Sequence, residues 1–152
     1  NVQSVIFALN RLGIDPLLTD NPEEIRTSDK VIFPGVGEAS SCMKSLRETG
    51  LDQLIPTLTQ PVLGICVGLQ LMCRHSEEND TIGMGIFDLN VKKFIPEEHK
   101  KANFKVPQMG WNTISSLKSP LFKDIPEKSY IYYVHSFYAE QGNETIATTD
   151  YV

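Results

Sequence analysis

The sequence predicts an α/β fold in which a parallel sheet carries helices on both faces and is extended by antiparallel strands in the second half of the chain. Two observations predict this fold. Up to about residue 74, short apolar strand candidates alternate with helical patterns, which is typical of parallel sheets covered on both sides. From about residue 85 onward, segments rich in β-branched and aromatic residues are separated by turn signals, which favours antiparallel strands.

Local patterns predict each element of the first half. Residues 2–12 place apolar side chains on one helical stripe, and Gly13 follows where a left-handed residue is favoured. The same reasoning predicts further strands at 16–19, 31–33 and 61–65, and further helices at 22–26, 38–48, 51–58 and 67–74.

The second half is predicted to hold strands at 85–94, 112–115, 129–138 and 145–151, after an acidic surface connection at 76–80. With 152 residues and 41% hydrophobic content the chain can bury one core. We therefore predict a single domain over 1–152.

Charge and cysteine usage limit the classes of function. The net charge is −5 and the 14 Lys and Arg residues are scattered, so a nucleic-acid partner is not expected. No apolar run approaches the roughly 20 residues of a membrane helix, and we expect a soluble, cytoplasmic protein. Three cysteines without a CxxC pair favour reduced thiols over disulfides or zinc, and no cofactor is predicted.

The most specific segment follows a predicted strand, where GICVGLQ spans residues 64–70. It has the strand, G-x-C-x-G and helix order of a nucleophile elbow, with Cys66 at the turn. Gly64 and Gly68 remove side chains that would collide with the neighbouring strand and helix. The helix start favours the thiolate of Cys66 and offers the Val67 amide as an oxyanion donor. Without the glycines, a small buried core cysteine would explain this position better.

A glycine-rich turn, PGVG at 34–37, ends an earlier strand. In a parallel sheet it lies at the same edge as Cys66, where ligands bind in such folds. Gly35 and Gly37 let the backbone approach a substrate carbonyl and offer an amide to its developing negative charge. Alone, the segment is equally well explained as an ordinary strand-to-helix turn. Together with Cys66 it predicts a second contributor to an oxyanion site.

Four segments in this order resemble a known family: PGVG at 34–37, GICVGLQLM at 64–72, VPQMGWN at 106–112 and YYVHSFY at 132–138. The second resembles the triad (class I) glutamine amidotransferases generally. The last two resemble the glutaminase subunit of imidazole glycerol phosphate synthase, an enzyme of histidine biosynthesis. The resemblance extends over essentially the whole chain.

The resemblance implies a mechanism and a partner. In that family the cysteine attacks the side-chain carbonyl of glutamine, ammonia leaves a thioester behind, and water hydrolyses the thioester to glutamate. The ammonia passes to a (β/α)8-barrel cyclase subunit. There it attacks a ribulosyl nucleotide, which yields imidazole glycerol phosphate and an aminoimidazole carboxamide ribotide.

The resemblance also implies roles for individual residues. Those at the glutamine site are the nucleophile Cys66, the oxyanion residues Val67 and Gly37, the substrate-binding residues Gly35 and Gln70, and the backbone of Ser136 and Phe137 at the α-carboxylate of glutamine. Those facing the cyclase are Met109, Trp111 and Asn112. Without the family, a lone Trp beside a strand is more often a core residue. Gln108 stands where the family frequently has His, which affects no catalytic role.

The general base is not expected among the three histidines. The resemblance puts it in a later G-x-x-F-H-P-E segment, which this sequence lacks. We therefore interpret His135 as structural or at the edge of the glutamine site, and His75 and His99 as surface residues. The family also has a first strand and glycine-rich turn before the helix at 2–12. We expect the 152-residue chain to lack both parts and to hydrolyse little glutamine alone.

Two alternatives remain open from the sequence. One is another triad glutamine amidotransferase subunit, such as the glutaminase of anthranilate or pyridoxal phosphate synthesis, against which the MGWN and VHSFY segments argue. The other is a non-catalytic flavodoxin-like module in which Cys66 senses redox state. A glutamine-analogue electrophile separates this second alternative from an amidotransferase, because only a glutamine pocket directs it to Cys66.

Overall fold

The computed structural model describes residues 2–95 and 105–151. The chain forms two compact units, residues 1–91 and 92–152. The single domain that the sequence suggests stays a prediction, and the two units are treated separately below. No helix in the described part of the chain is long and apolar enough to cross a membrane.

The first unit alternates helices and strands. Its helices are α1 (Val2–Arg11), α2 (Pro22–Thr27), α3 (Ala39–Thr49), α4 (Leu51–Leu54), which a 3-10 turn at Ile55–Thr57 continues, and α5 (Val67–Met72). Its strands are β1 (Val31–Gly35), β2 (Val62–Cys66), β3 (Cys73–Ser76), β4 (Thr81–Ile82) and β5 (Phe87–Lys93), which ends just past the unit's boundary.

Parallel pairing characterises this unit, as predicted for its first strands, whereas β5, which the sequence places among the antiparallel strands, also pairs in parallel. Strands β1 and β2 run parallel over five residue pairs, from Val31 opposite Val62 to Gly35 opposite Cys66. Strand β3 also pairs in parallel with β5, and β4 joins β3 in antiparallel orientation. The carboxyl ends of β1 and β2 therefore meet at one edge of the sheet, which confirms the expected α/β class.

The helix boundaries follow from local capping. Asn21 accepts the Glu23 amide through its side chain and caps α2. Glu38 caps α3 in the same way, and Gly50 ends that helix in the left-handed conformation at φ 72°. Gly13 follows α1 with φ 76°. The predicted stops at Gly13 and Gly50 are thus confirmed.

A small apolar core lies between α3, α5 and the chain after α4. Its buried members share contacts with one another: Ala39, Met43, Leu46, Ile55, Val67 and Leu71. Phe33 of β1 packs against this cluster. The first residue after the elbow, Val67, is therefore anchored in the core, which holds the start of α5 in place.

One strand and three boundaries that the sequence predicts for this unit are wrong. Residues 16–19 form no strand; the hydroxyl of Thr19 instead accepts the Asn21 amide at 2.9 Å in the turn that leads into α2. The helix predicted to end at residue 74 stops at Met72, and the helix predicted at 51–58 is regular only to Leu54. The acidic connection begins inside β3, since Ser76 pairs with Val91 of β5.

The second unit contains antiparallel strands, as predicted. Strands β6 (Gln108–Thr113) and β7 (Tyr130–His135) pair over six residues, and β8 (Phe137–Ala139) follows after a single residue. Strand β6 begins four residues earlier than the sequence suggests. The strand expected at 145–151 is wrong: Thr148 makes one isolated bridge, to Ser115.

Candidate active site

Cys66 occupies a strained turn between β2 and α5. It is the last residue of the strand, and its backbone dihedral angles are φ 57° and ψ −119°, a region that non-glycine residues rarely adopt. Its side chain caps no amide of α5, and the residue is exposed. The free thiol thus stands at the sheet edge, in front of the first amides of a helix, which have no intrahelical partner.

The glycines around Cys66 are required by close backbone contacts. A Cβ on Gly64 would lie 2.6 Å from the sulfur of Met72 and 2.9 Å from the amide nitrogen of Leu69. A Cβ on Gly68 would overlap the carbonyl oxygen of Phe33. Each glycine therefore lets α5 pack directly on the strands, and this packing holds the turn at Cys66.

The PGVG turn lies beside the elbow. Gly35 is opposite Cys66 in the β1–β2 ladder, and a Cβ on Gly35 would lie 2.8 Å from the Gly68 amide and 3.1 Å from Cβ of Val67. The structure therefore brings Gly35, Cys66 and Val67 together as the sequence predicts. Gly37 has φ 113°, which L side chains rarely adopt, and it lies at the end of the same turn.

A dense set of hydrogen bonds fixes the chain after this turn. The Glu38 carboxylate accepts the amides of Ser40 at 2.6 Å and Ser41 at 3.1 Å, and the Ser40 hydroxyl at 2.9 Å. These bonds, that of the Ser40 hydroxyl foremost, lower the pKa of Glu38 to about 2. A second carboxylate, Glu78, accepts the Ala39 amide at 2.9 Å. Neither carboxylate was predicted from the sequence, although the position of Glu38 before a helix could have indicated the first.

Gln70 points a polar atom into the protein. It lies on α5, one turn after Cys66. Its Oε1 is buried and has no hydrogen-bond partner in the described structure. A buried acceptor without a donor is costly, so this atom is suited to accept a hydrogen bond from a ligand.

The other two thiols differ from Cys66. Burial, reinforced by the charges of Glu38 and Glu78, raises the pKa of Cys42, whose thiol donates to the Val36 carbonyl at 3.5 Å. Burial raises the pKa of Cys73 to about 11. Cys66 is therefore the exposed thiol of the three.

The remaining predicted substrate residues belong to the second unit. Ser136 and Phe137 lie at the junction of β7 and β8, and the Phe94 amide donates to the Ser136 carbonyl at 3.0 Å. His135 precedes them, and its ring is engaged on both sides, with Phe137 O and Gln108 Oε1. A ring held in this way is a poor candidate for a general base, which agrees with our interpretation of His135 as structural.

The other histidines match the surface interpretation only in part. His75 is half-buried in β3, and its Nε2 lies 2.7 Å from an oxygen of the exposed Asp80. His99 lies outside the described residues.

One face of the β6–β7 pair is apolar and exposed. Met109 is 65% exposed and Trp111 is 69% exposed, so Trp111 is not the core residue that a lone Trp near a strand suggests. Tyr132 is paired with Trp111, and their rings stack edge to face with centroids 5.4 Å apart. Asn112 points elsewhere: its side-chain amide donates to the Asp150 carbonyl at 2.9 Å.

Comparison with known proteins identifies the family. Residues 1–151 match the model of the family "Glutamine amidotransferase class-I". A solved glutamine amidotransferase has a similar fold, with a TM-score of 0.71 and 16% identity, covering 97% of this chain and 74% of that one.

Sequence relatives are much more similar. The imidazole glycerol phosphate synthase subunit HisH of Bacteroides thetaiotaomicron is 51% identical over the whole chain, which covers 76% of that protein. The HisH subunit of Bacteroides fragilis is 52% identical with the same coverage, and that of Pasteurella multocida is 42% identical over 99% of this chain and 74% of its own length. This chain belongs to the class-I glutamine amidotransferase family.

Proposed function

We propose that this chain is the glutaminase subunit of an imidazole glycerol phosphate synthase and supplies ammonia for histidine biosynthesis. The observation that carries the proposal is the strained turn at Cys66, whose free, exposed thiol belongs to the residue immediately before α5. The HisH relatives, which are 51% and 52% identical over the whole chain, support this reaction in particular.

The proposed chemistry begins at the Cys66 sulfur. The thiolate attacks the side-chain carbonyl carbon of glutamine, and the negative charge moves to the carbonyl oxygen. The Val67 amide and the Gly37 amide are the proposed donors to that oxygen. Protonated nitrogen then leaves as ammonia, a thioester of glutamate forms, and water hydrolyses it to glutamate and the free thiol.

Substrate binding is proposed for four further residues. Gly35 lies close enough to Val67 to leave room only for backbone, and Gln70 offers its buried, unpartnered Oε1 to an N–H group of glutamine. The backbone of Ser136 and Phe137 is proposed to bind the α-carboxylate, as the resemblance of VHSFY implies.

The ammonia acceptor is proposed to be a (β/α)8-barrel cyclase subunit. The exposed apolar face of β6–β7 supports a protein partner, because Trp and Met are typical anchors of interfaces. We propose Met109 and Trp111 as side-chain contacts of that partner, with Asn112 beside them, its side chain held by the Asp150 carbonyl. We propose the cytoplasm, where thiols such as Cys66 stay reduced, as the location.

A diazoketone analogue of glutamine tests the proposal. We expect it to alkylate Cys66, to saturate with concentration and to be blocked by glutamine, whereas iodoacetamide should modify Cys66 without saturation. The Cys66→Ser variant is the control for the labelled site. Equal labelling of Cys42, Cys66 and Cys73, or no protection by glutamine, would contradict a glutamine site and favour a redox-sensing thiol. Copurification with a barrel cyclase tests the partner.

A further inference from the structure

We infer that Gln108 and His135 are positioning residues, which hold the Ser136–Phe137 backbone in the conformation that receives the α-carboxylate of glutamine. The inference rests on the proposed function, because that proposal gives this backbone its ligand. It concerns only the second unit, and it assigns a task to two side chains that the reaction itself does not use.

The two side chains are joined across the β6–β7 pair. Gln108 is the first residue of β6 and lies opposite His135, the last residue of β7. The imidazole Nε2 is 2.6 Å from Oε1 of Gln108, and Nδ1 is 2.7 Å from the Phe137 carbonyl oxygen. A chain of two short hydrogen bonds thus runs from β6 through the ring to the backbone of β8.

The direction of the protons follows from the acceptor. A carbonyl oxygen cannot donate, so Nδ1 of His135 carries hydrogen and donates to Phe137. In the neutral ring Nε2 is then an acceptor and needs a donor. Gln108 presents Oε1 to this nitrogen, and its amide provides the donor once it is turned end for end, since the oxygen and nitrogen ends of an amide have nearly the same shape. The Phe137 carbonyl therefore sets the tautomer of His135, and the Gln108 amide completes the hydrogen bonding of the ring.

The hydrogen bond between Gln108 and His135 lies among groups that leave little access for water. Gln108 is only 4% exposed. The His135 ring packs against Phe94 at a centroid distance of 5.1 Å and against Tyr133 at 5.3 Å. Without the Gln108 amide, Nε2 would lose its partner in a mostly apolar setting, where an unpaired polar atom is costly.

The backbone that is held is the one proposed to bind glutamine. The Phe94 amide holds the Ser136 carbonyl at 3.0 Å, and His135 holds the Phe137 carbonyl. Each carbonyl shares a rigid peptide plane with the next N–H group. The two bonds therefore set the directions of the Phe137 and Tyr138 amides, which is the preorganisation that a carboxylate site needs.

The test is an NMR titration of the ¹⁵N-labelled chain with glutamine, which follows the backbone amides of Ser136, Phe137 and Tyr138. The matched ligand is 4-aminobutanamide, which is glutamine without its α-carboxylate. His135→Leu removes both hydrogen bonds and should weaken glutamine binding by about 10-fold or more, at ~1 kcal/mol per bond. Gln108→Leu should weaken it by about 5-fold. The affinity for 4-aminobutanamide should stay unchanged in both.

Conservative variants provide the rescue. In His135→Asn the side-chain amide can still donate to Phe137, and in Gln108→His a ring N–H can still donate to Nε2. Gln108→His keeps both bonds and should bind glutamine as the wild type does. His135→Asn keeps only the bond to Phe137, so it should lose about 5-fold, as Gln108→Leu does, and less than His135→Leu. The imidazole ¹⁵N signals of the wild type should show a protonated Nδ1 on His135, and Gln108→Leu should shift the Nε2 signal, because that nitrogen loses its partner.

Three results would overturn the inference. They are an unchanged glutamine affinity in both Leu variants, an equal loss of affinity for glutamine and 4-aminobutanamide, and a wild-type ring with hydrogen on Nε2 alone. The proposed function fails in a different way: in the wild type, glutamine would then leave the Ser136, Phe137 and Tyr138 amides undisturbed, which removes the ligand that the inference requires.

Discussion

Gly68 of α5 lies directly on the carbonyl oxygen of Phe33 in β1, with no room for a methyl group between them. The first prediction follows from this contact. Gly68→Ala should force α5 away from β1, lower the free energy of unfolding by about 2 kcal/mol or more, and disturb the turn at Cys66. Urea denaturation and the rate of Cys66 alkylation by iodoacetamide measure the two effects.

Gly13→Ala is the matched control for Gly68→Ala. Gly13 has a left-handed backbone, φ 76°, but no other group lies within 4 Å of the place that a Cβ would take. Its replacement should therefore cost only about 1 kcal/mol of backbone strain and leave the reactivity of Cys66 unchanged. If Gly68→Ala behaved like this control, the close contact would not be what maintains the elbow.

The three thiols should react with iodoacetamide in a fixed order as the pH is raised. At about pH 7 iodoacetamide should modify Cys66 first, because the thiolate is the reactive form and the raised pKa values of Cys42 and Cys73 leave little of it there. Cys42 should be modified only as the pH rises further, because its pKa is raised. Cys73, with a pKa of about 11 and no exposed surface, should react only after unfolding. Peptide mapping by mass spectrometry checks the order, and early modification of Cys73 would contradict it.

Glu38 should make stability depend on acidity. Its pKa is lowered from 4.5 to about 2 in the fold, so its contribution is complete above about pH 4.5 and is lost as the pH falls through about 2. Glu38→Gln should lower the melting temperature near neutral pH by a few degrees. The difference from the wild type should shrink across this pH window.

Glu48→Gln is the control for that measurement. Glu48 lies on the same helix, where its exposed carboxylate is 3.9 Å from Lys44. Exposed pairs of this kind contribute little, so this variant should melt as the wild type does at every pH. A pH profile for Glu38→Gln that runs parallel to the wild type would show that the lowered pKa has no effect on folding.

The sequence predicted a feature best where the residues that indicate it are neighbours in the chain. The elbow was predicted correctly because Gly64 and Gly68 stand beside Cys66 in the chain; Gly64 contacts the helix that follows, although the contact of Gly68 is with Phe33 of β1. The stop of α3 at Gly50 is equally local. In each case glycine is required, either because a Cβ would collide with a neighbour or because the backbone is left-handed.

Features that depend on distant partners were missed. Strand β3 pairs with β5, more than ten residues later, and nothing in its own pattern distinguishes it from the end of a helix. The link between Gln108 and His135 joins residues 27 positions apart. Conversely, residues 16–19 have strand-like composition, but Thr19 is engaged in the turn before α2.

Trp111 should act in binding and not in folding. It is 69% exposed, so Trp111→Ala should leave the free energy of unfolding nearly unchanged while weakening the affinity for the cyclase by about 2 kcal/mol. Leu121→Ala removes an apolar side chain that is also exposed, in the 3-10 turn at Pro120–Phe122, and should leave both quantities unchanged. Calorimetric titration measures the affinity. Equal affinities for the two variants would exclude the β6–β7 face as the contact.

Gln70 should affect substrate binding and stability in opposite directions. Its Oε1 is buried and unpartnered within the described structure, so Gln70→Leu removes a desolvated acceptor and should raise the free energy of unfolding slightly, by up to about 1 kcal/mol. If that atom binds glutamine, the glutamine concentration that protects Cys66 from the diazoketone should rise by about 5-fold to 10-fold.

Gln60→Leu is the control for Gln70→Leu, and it should change stability without changing substrate binding. The Gln60 side chain donates to the Ile25 carbonyl at 2.7 Å, so Gln60→Leu should lose about 1 kcal/mol of stability and leave protection by glutamine unchanged. Urea denaturation and protection kinetics on the two variants separate a residue that supports the fold from one that contacts the substrate. Unaltered protection in Gln70→Leu would mean that its buried oxygen does not bind glutamine, and a marked loss of stability would mean that it has a partner within the protein.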